Sequence, residues 1–331
     1  MKPSGTLLLG GRDVAALLDL DECTVAVEQA FKAHAEGRSL PPGVLGVHAK
    51  DGGFHIKAAG LHLNRAYFAA KVNGNFFSNR ERFNMPRIQG LIVLCDADNG
   101  APLAVLDSIE ITILRTGAAT AAAAKHLARE ESAVATICGC GNQGRVSLRA
   151  LSRIRRITRA YAFDSDPDQS GRYAKELSSE LQLDVTPVRD LSDAVRKSDI
   201  CITCTPSTQP FLRQSDIAPG TFIAAVGADD EVKQELEPEL LAASKVVVDS
   251  LEQCAAIGDL KLALQLGLMT RGDVAAELGE VIAGRKPGRE SQEEIIVFDS
   301  TGTALQDVAA AAIVYEKAVK GGRGIRFDFA D

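Results

Sequence analysis

The sequence predicts an α/β protein of two domains, and three observations carry that prediction. The chain has 331 residues, enough for about two domains at roughly 100–200 residues each. Residues 44–73 break into short, apolar-alternating pieces separated by turn-rich segments, the pattern of an antiparallel or mixed sheet. From residue 133 onward apolar runs alternate with helical patterns, the signature of a parallel sheet with helices on both faces.

Taken in order, residues 12–37 read as helix, with Asp13 capping Val14–Leu18 and Asp21 capping a second stretch through Val25, Val27 and Phe31. Leu40-Pro41-Pro42-Gly43 reads as a break. Val44–His48, Phe54–Ala59, Tyr67–Val72 and Gly90–Leu94 read as strands, and Asp96–Gly100 as a turn leading into a return strand over Ala101–Leu106. Thr116–Arg129 is alanine-rich and free of proline, which predicts a helix, placed as the connector between the domains. Beyond it, strands are predicted at Ala133–Cys138, Arg159–Phe163, Asp184–Pro187, Ile200–Thr205, Thr221–Val226, Lys245–Asp249 and Ile295–Phe298. A final helix spans Gly302–Lys320, where Leu305, Val308, Ala309, Ala312 and Ile313 keep helical spacing.

Composition narrows the function. Hydrophobic residues make up 46% of the chain, ample for buried cores. With 37 Lys+Arg against 44 Asp+Glu the net charge is -7, the wrong sign for wholesale binding to nucleic acid or an anionic membrane. The basic run Arg149, Arg153, Arg155, Arg156 and Arg159 reads as a solvated helix face and turn. The seven cysteines are odd in number and lie mostly in apolar runs, which suits reduced thiols in a cytoplasmic protein. The chain has no run of about 18 apolar residues, and its first residues lack signal-peptide architecture. Cys201 and Cys204 fall within a strand, and His48, His55 and His62 lack metal-site spacing, so no metal is expected.

Gly139-x-Gly141-x-x-Gly144 is a weak signal alone, but its context is complete. An apolar run precedes it, a helical run follows, and Asp164 ends the next strand, 20 residues after Gly144. Gly139 permits the tight turn, Gly141 admits a close backbone approach to a pyrophosphate, and Gly144 lets helix and strand pack closely. Asp164 would accept hydrogen bonds from an adenosine ribose and repel a 2′-phosphate, favouring NAD over NADP. Further candidates are charged groups in apolar surroundings: Lys57, Lys71, Arg115, Asp229 and Asp299. From pattern alone, each lysine is equally compatible with a solvated strand face.

Four segments then carry a family resemblance. Phe68-Ala69-Ala70-Lys71-Val72-Asn73, Leu114-Arg115-Thr116-Gly117-Ala118, Val226-Gly227-Ala228-Asp229 with Lys233-Gln234-Glu235-Leu236, and Phe298-Asp299-Ser300-Thr301-Gly302 resemble motifs of the ornithine cyclodeaminase/mu-crystallin family in order and spacing. The resemblance implies a Rossmann domain, residues 116–304, inserted into a substrate-binding and dimerisation domain of residues 1–115 plus 305–331. It implies a homodimer and hydride transfer between NAD and the α-carbon of an amino or imino acid. Lys71 and Arg115 would bind the substrate carboxylate near the nicotinamide, and Asp229 would hold the substrate nitrogen as acid/base. Arg115, Asn142, Gln143, Thr205, Val226, Lys233 and Ser300 would join the glycine-rich loop around the dinucleotide.

The departures from the family bear on substrate. The usual Asp-x-Pro-Gly-Lys turn is Asp229-Asp230-Glu231-Val232-Lys233, which keeps only the Asp-to-Lys spacing. The Glu-x-Met-Pro segment of cyclodeaminases is replaced by Phe54-His55-Ile56-Lys57-Ala58-Ala59, and an arginine usual after the Pro-rich break is missing, with Lys57 the candidate replacement cation. Cyclising a diamino acid benefits from an acidic group near the distal amine, which Lys57 is not. The expectation is therefore an alanine dehydrogenase or imine reductase. Ornithine or lysine cyclodeamination with catalytic NAD, or non-catalytic ligand binding as in mu-crystallin, are the alternatives.

Overall fold

The computed structural model describes residues 5–329. Two compact units emerge: one contains the described residues up to Arg115 and from Thr303 onward, the other spans Thr116–Gly302. The break falls inside the helix Ile109–Leu127.

The first unit is built on a mixed sheet. Its strands are β1 (Thr6–Leu9), β2 (Ser39–Ala49), β3 (Gly52–His62), β4 (Ala66–Asn75), β5 (Ile88–Asp96), β6 (Pro102–Asp107) and a terminal strand Ile325–Phe327. The order is terminal strand, β1, β6, β5, β4, β3, β2. Every pairing is antiparallel except β1 with β6. Side chains alternate between the two faces. On the inner face, Lys57 of β3 stands directly opposite Lys71 of β4, in a row with Ile92 and Leu106. The long helix Ala304–Gly321 packs over this face, and the helix Leu20–Ala35 packs on that helix. The outer face carries the row Leu45, Ile56, Val72, Leu91.

Local chemistry explains where the sequence-based boundaries shift. The predicted helix over 12–37 is two helices, Gly11–Leu17 and Leu20–Ala35, because Leu18 adopts extended backbone between them. Asp19, not Asp21, caps the second by accepting from Glu22 N at 2.9 Å, and Asp13 folds back onto Gly10 N at 3.1 Å. The Pro41-Pro42 segment does not end the sheet; β2 runs through it with a register shift between Leu40 and Gly43. That is tolerated because β2 is an edge strand, where a missing N–H costs little pairing. The alanine-rich helix starts at Ile109, seven residues before the predicted start at Thr116.

The second unit is a doubly wound parallel sheet. Its strands are β7 (Val134–Cys138), β8 (Arg159–Phe163), β9 (Asp184–Pro187), β10 (Ile200–Thr203), β11 (Phe222–Ala225), β12 (Lys245–Val248), β13 (Ala276–Glu277) and β14 (Ile296–Asp299). Their order is β13-β12-β14-β11-β10-β7-β8-β9, all parallel. The central strands β10, β11 and β14 are buried along their whole length, which is why they read as continuous apolar runs. The last strand in sequence, β14, is inserted between β11 and β12, so Asp299 ends in the middle of the sheet. Chain order reverses between β7 and β10, which opens a crevice at their carboxyl ends.

Small residues allow close helix packing in this unit. A methyl group on Gly117 would lie 2.6 Å from Val146 Cγ2 and 3.0 Å from Val146 O. Gly117→Ala should therefore force the helix Ile109–Leu127 off the helix Asn142–Ile154. The expected loss is about 1–3 kcal/mol, read as a lower urea midpoint with little change in slope.

Candidate active site

In the second unit, the predicted glycine-rich loop leaves β7 at the point of strand-order reversal. Gly139 has φ +103, and a Cβ there would meet Cys204 O at 2.8 Å, so glycine is required on both counts. At Gly144 a Cβ would lie 2.1 Å from Gly139 O, so the helix can approach the turn only without a side chain. Gly141 faces open space and begins the helix Asn142–Ile154 without a side-chain cap. The first backbone N–H groups of that helix therefore remain available to an anion. Gln143 Oε1 is buried without a hydrogen-bond partner, while Asn142 is exposed. Asp164 follows β8 directly and accepts from Cys140 N at 2.8 Å and Asp166 N at 3.0 Å, which ties it to the loop while leaving acceptor capacity. This open, uncapped helix start beside a carboxylate fits a dinucleotide.

The neighbouring strand ends hold the other predicted contacts. Thr205 follows β10, and its N and Oγ1 both donate to Glu235 Oε1, at 2.6 and 2.7 Å. Val226 N continues the β11 ladder to Thr203 O at 2.9 Å, and Gly227 N donates to Glu235 Oε2 at 3.0 Å. Asp229, 45% exposed along its side chain, pairs with Lys233. Lys233 is drawn toward Asp229 and Asp230, and these carboxylates raise its pKa against the opposing effect of burial. Ser300 is buried, with its hydroxyl donated to Asp249 Oδ2 at 2.8 Å. Asp299, singled out as a candidate charge, instead accepts from Asp259 N and Leu260 N.

In the first unit, Lys57, Lys71 and Arg115 are all buried. Lys71 Nζ lies 2.8 Å from Asp307 Oδ1 and 2.7 Å from Oδ2. Arg115 Nε lies 3.4 Å from the same Oδ1, and Arg115 Nη1 donates to Gln306 Oε1 at 3.0 Å. One carboxylate is thus shared by two cations, with a third directly across the strand pair. Burial pushes Lys71 down to about 7; Asp307 resists the shift, while Arg115 and Lys57 add to it. Gln306 Nε2 and Thr303 Oγ1 are buried and have no hydrogen-bond partner. This cluster can bind an anion and can exchange a proton near neutral pH.

The sequence pointed to Lys57, Lys71 and Arg115 but not to the carboxylate between the latter two. Asp307 sits in the first turn of the helix Ala304–Gly321, where helical spacing draws attention to Leu305, Val308 and Ala309 instead. In the sequence Glu235 is only one member of the Lys233-Gln234-Glu235-Leu236 segment; its four acceptor contacts exist only in the fold. Among the basic run, Arg149 does pair on the surface with Glu180, whereas Arg155 is half-buried and donates to the carbonyls of Ala124, Lys125, Ala128 and Arg129. No group of three or more His, Cys, Asp or Glu suited to a metal occurs among the described residues.

The ornithine cyclodeaminase/mu-crystallin family profile matches residues 5–322. This chain belongs to that family. It is 38% identical to the alanine dehydrogenase of Archaeoglobus fulgidus over 325 residues, 98% of each chain. An archaeal alanine dehydrogenase dimer with bound NAD superposes with a TM-score of 0.93 at 38% identity, covering 98% of this chain and 99% of that one. The Δ1-pyrroline-2-carboxylate reductase of Thermococcus litoralis, in complex with NADH and L-proline, gives 0.92 at 34% identity, covering 97% and 100%. Within this family frame the second unit is a Rossmann-type domain, as the sequence analysis expected. No helix among the described residues is long and apolar enough to cross a membrane.

The Lys71 environment is directly measurable. With 13Cε-labelled lysine, one resonance should titrate near pH 7 and be missing from Lys71→Met. Asp307→Asn should move that titration lower still, because it removes the carboxylate that favours the ammonium form.

Proposed function

We propose that this chain is an NAD(H)-dependent oxidoreductase that transfers a hydride at the α-carbon of an amino or imino acid, of the alanine dehydrogenase or imine reductase type. The observation that carries the reading is the buried cluster in which Lys71 and Arg115 share Asp307 beside unpartnered donors. An α-carboxylate supplies the missing negative charge there, and Arg115 offers it a planar, two-point grip. Lys57, rather than an acidic residue, argues for this reading over cyclodeamination of a diamino acid.

The nicotinamide, when bound, supplies or accepts the hydride. The chain's own residues do the rest. Arg115 and Lys71 orient the substrate through its carboxylate. Lys71, with its pKa near 7, shares a proton with that site. Asp229 pairs with the substrate nitrogen and carries its proton as the α-carbon changes between tetrahedral and planar, releasing Lys233 from its present ion pair. Gly139, Gly141, Asn142, Gln143 and Gly144 receive the pyrophosphate, with Thr205, Val226, Lys233 and Ser300 along the rest of the dinucleotide. The Asp164 carboxylate prefers ribose hydroxyls to a 2′-phosphate, so NAD is preferred to NADP.

The family relatives also support a homodimer. The outer sheet face of the first unit is apolar, with Leu45 57% and Leu91 53% exposed, in a row with Val72 and Ile56. A second copy on this face would cover it. The free state of all seven cysteines suits the cytoplasm.

Two experiments test this reading. Purified protein should consume NADH stoichiometrically with one of a set of substrates: pyruvate or other 2-oxo acids with ammonia or amines, pyrroline-2-carboxylate, or iminosuccinate. Asp229→Asn should lower kcat about 10²–10⁴-fold, the range of general acid–base catalysis. Ammonia release from ornithine with only catalytic NAD would favour the cyclodeaminase reading instead. For assembly, Leu91→Asp should convert a dimer into a monomer in sedimentation velocity; a monomeric unaltered protein would refute the sheet-face dimer.

A further inference from the structure

We infer that Glu235 is a positioning residue for the nicotinamide half of the cofactor, tying the end of β10 to the end of β11. The inference rests on the dinucleotide reading above. In a doubly wound sheet the two halves of a dinucleotide lie on opposite sides of the strand-order reversal. The loop after β7 and Asp164 after β8 take the adenosine side, so the nicotinamide side falls over the ends of β10 and β11.

Glu235 lies buried between those two ends. Its Oε1 accepts from Thr205 N at 2.6 Å and Thr205 Oγ1 at 2.7 Å, and its Oε2 accepts from Thr203 Oγ1 at 2.7 Å and Gly227 N at 3.0 Å. The fit against Gly227 is tight: a Cβ there would lie 2.5 Å from Oε2. A second carboxylate holds Glu235 itself, since Asp259 Oδ1 accepts from Glu235 N at 2.7 Å and Leu236 N at 2.9 Å. Asp259 N is in turn held by Asp299 Oδ1 at 3.2 Å. This ladder of three fully buried carboxylates links the turn after Asp229 to β14 in the middle of the sheet. Burying three acidic groups in a row is costly unless each caps backbone N–H groups, and each one does.

Each Glu235 oxygen faces one backbone N–H. An amide in its place must turn its NH2 toward one of them, whichever way it is flipped. Glu235→Gln therefore breaks one side of the clasp without changing the side chain's size. The test compares NADH with ADP-ribose, which lacks the nicotinamide, by fluorescence titration and calorimetry on the full-length protein. Glu235→Gln should weaken NADH roughly tenfold to hundredfold, the effect of leaving one buried backbone N–H without an acceptor, and leave ADP-ribose nearly unchanged. Gly227→Ala presses on the same carboxylate from the other side and should give the same pattern, which keeps the test open should the Gln variant fail to fold. Equal weakening of both ligands would reduce Glu235 to a general structural role, and unchanged NADH affinity in both variants would overturn the proposal. Failure of the unaltered protein to bind ADP-ribose would instead refute the dinucleotide reading, and this inference with it.

Discussion

The parallel pairing of β7 with β10 is the contact on which the second unit's site depends. Those strands are laid side by side although β8 and β9 intervene in the chain, and the chain order reverses between them. The reversal leaves the turn after β7 uncovered by a crossover. The tightness of that turn then demands Gly139, and the approach of the following helix demands Gly144. Cys204, just past β10, braces the same turn: its N donates to Cys138 O at 2.9 Å, and its thiol lies between Cys138 O and Gly139 O, within reach of either. Donors at a helix start become useful only because the sheet holds them in this exposed position.

Buried charge is organised differently in the two units. In the first unit cations predominate: Lys57 and Lys71 face each other on adjacent strands, an arrangement that is unfavourable by itself. Burial pulls Lys71 down to about 7, with Arg115 and Lys57 adding to the shift, and Asp307 offsets part of it. In the second unit acids predominate: burial and the neighbouring Asp259 push Glu235 up to about 8, and burial raises Asp259 to about 6. The first arrangement suits recognition of an anion. The second stabilises backbone geometry, because its carboxylates spend their acceptor capacity on N–H groups and hydroxyls of the chain.

The legible parts of the sequence were those whose physics is local. Strand and helix periodicity set the order of the elements, and the spacing of Gly139, Gly141 and Gly144 marks the tight strand-to-helix turn that the structure has there. Errors arose where a longer-range fact overrode a local signal. Pro41-Pro42 reads as a break, yet an edge strand accepts it. Asp21 reads as a cap, but the chain turns two residues earlier and Asp19 takes that role.

The sequence by itself determined the fold class, the family and the cations Lys57, Lys71 and Arg115, because residue type, period and motif spacing are properties of the chain. Only the tertiary structure decided which carboxylates those motifs need. Asp307 lies 236 residues from Lys71 in sequence, and Glu235 clasps Thr203, Thr205 and Gly227 from a separate turn. The insertion of β14 between β11 and β12 likewise has no trace in local pattern. The reason is physical: burial and pairing of charge depend on which distant strands become neighbours, and that is settled by the packing of the whole sheet.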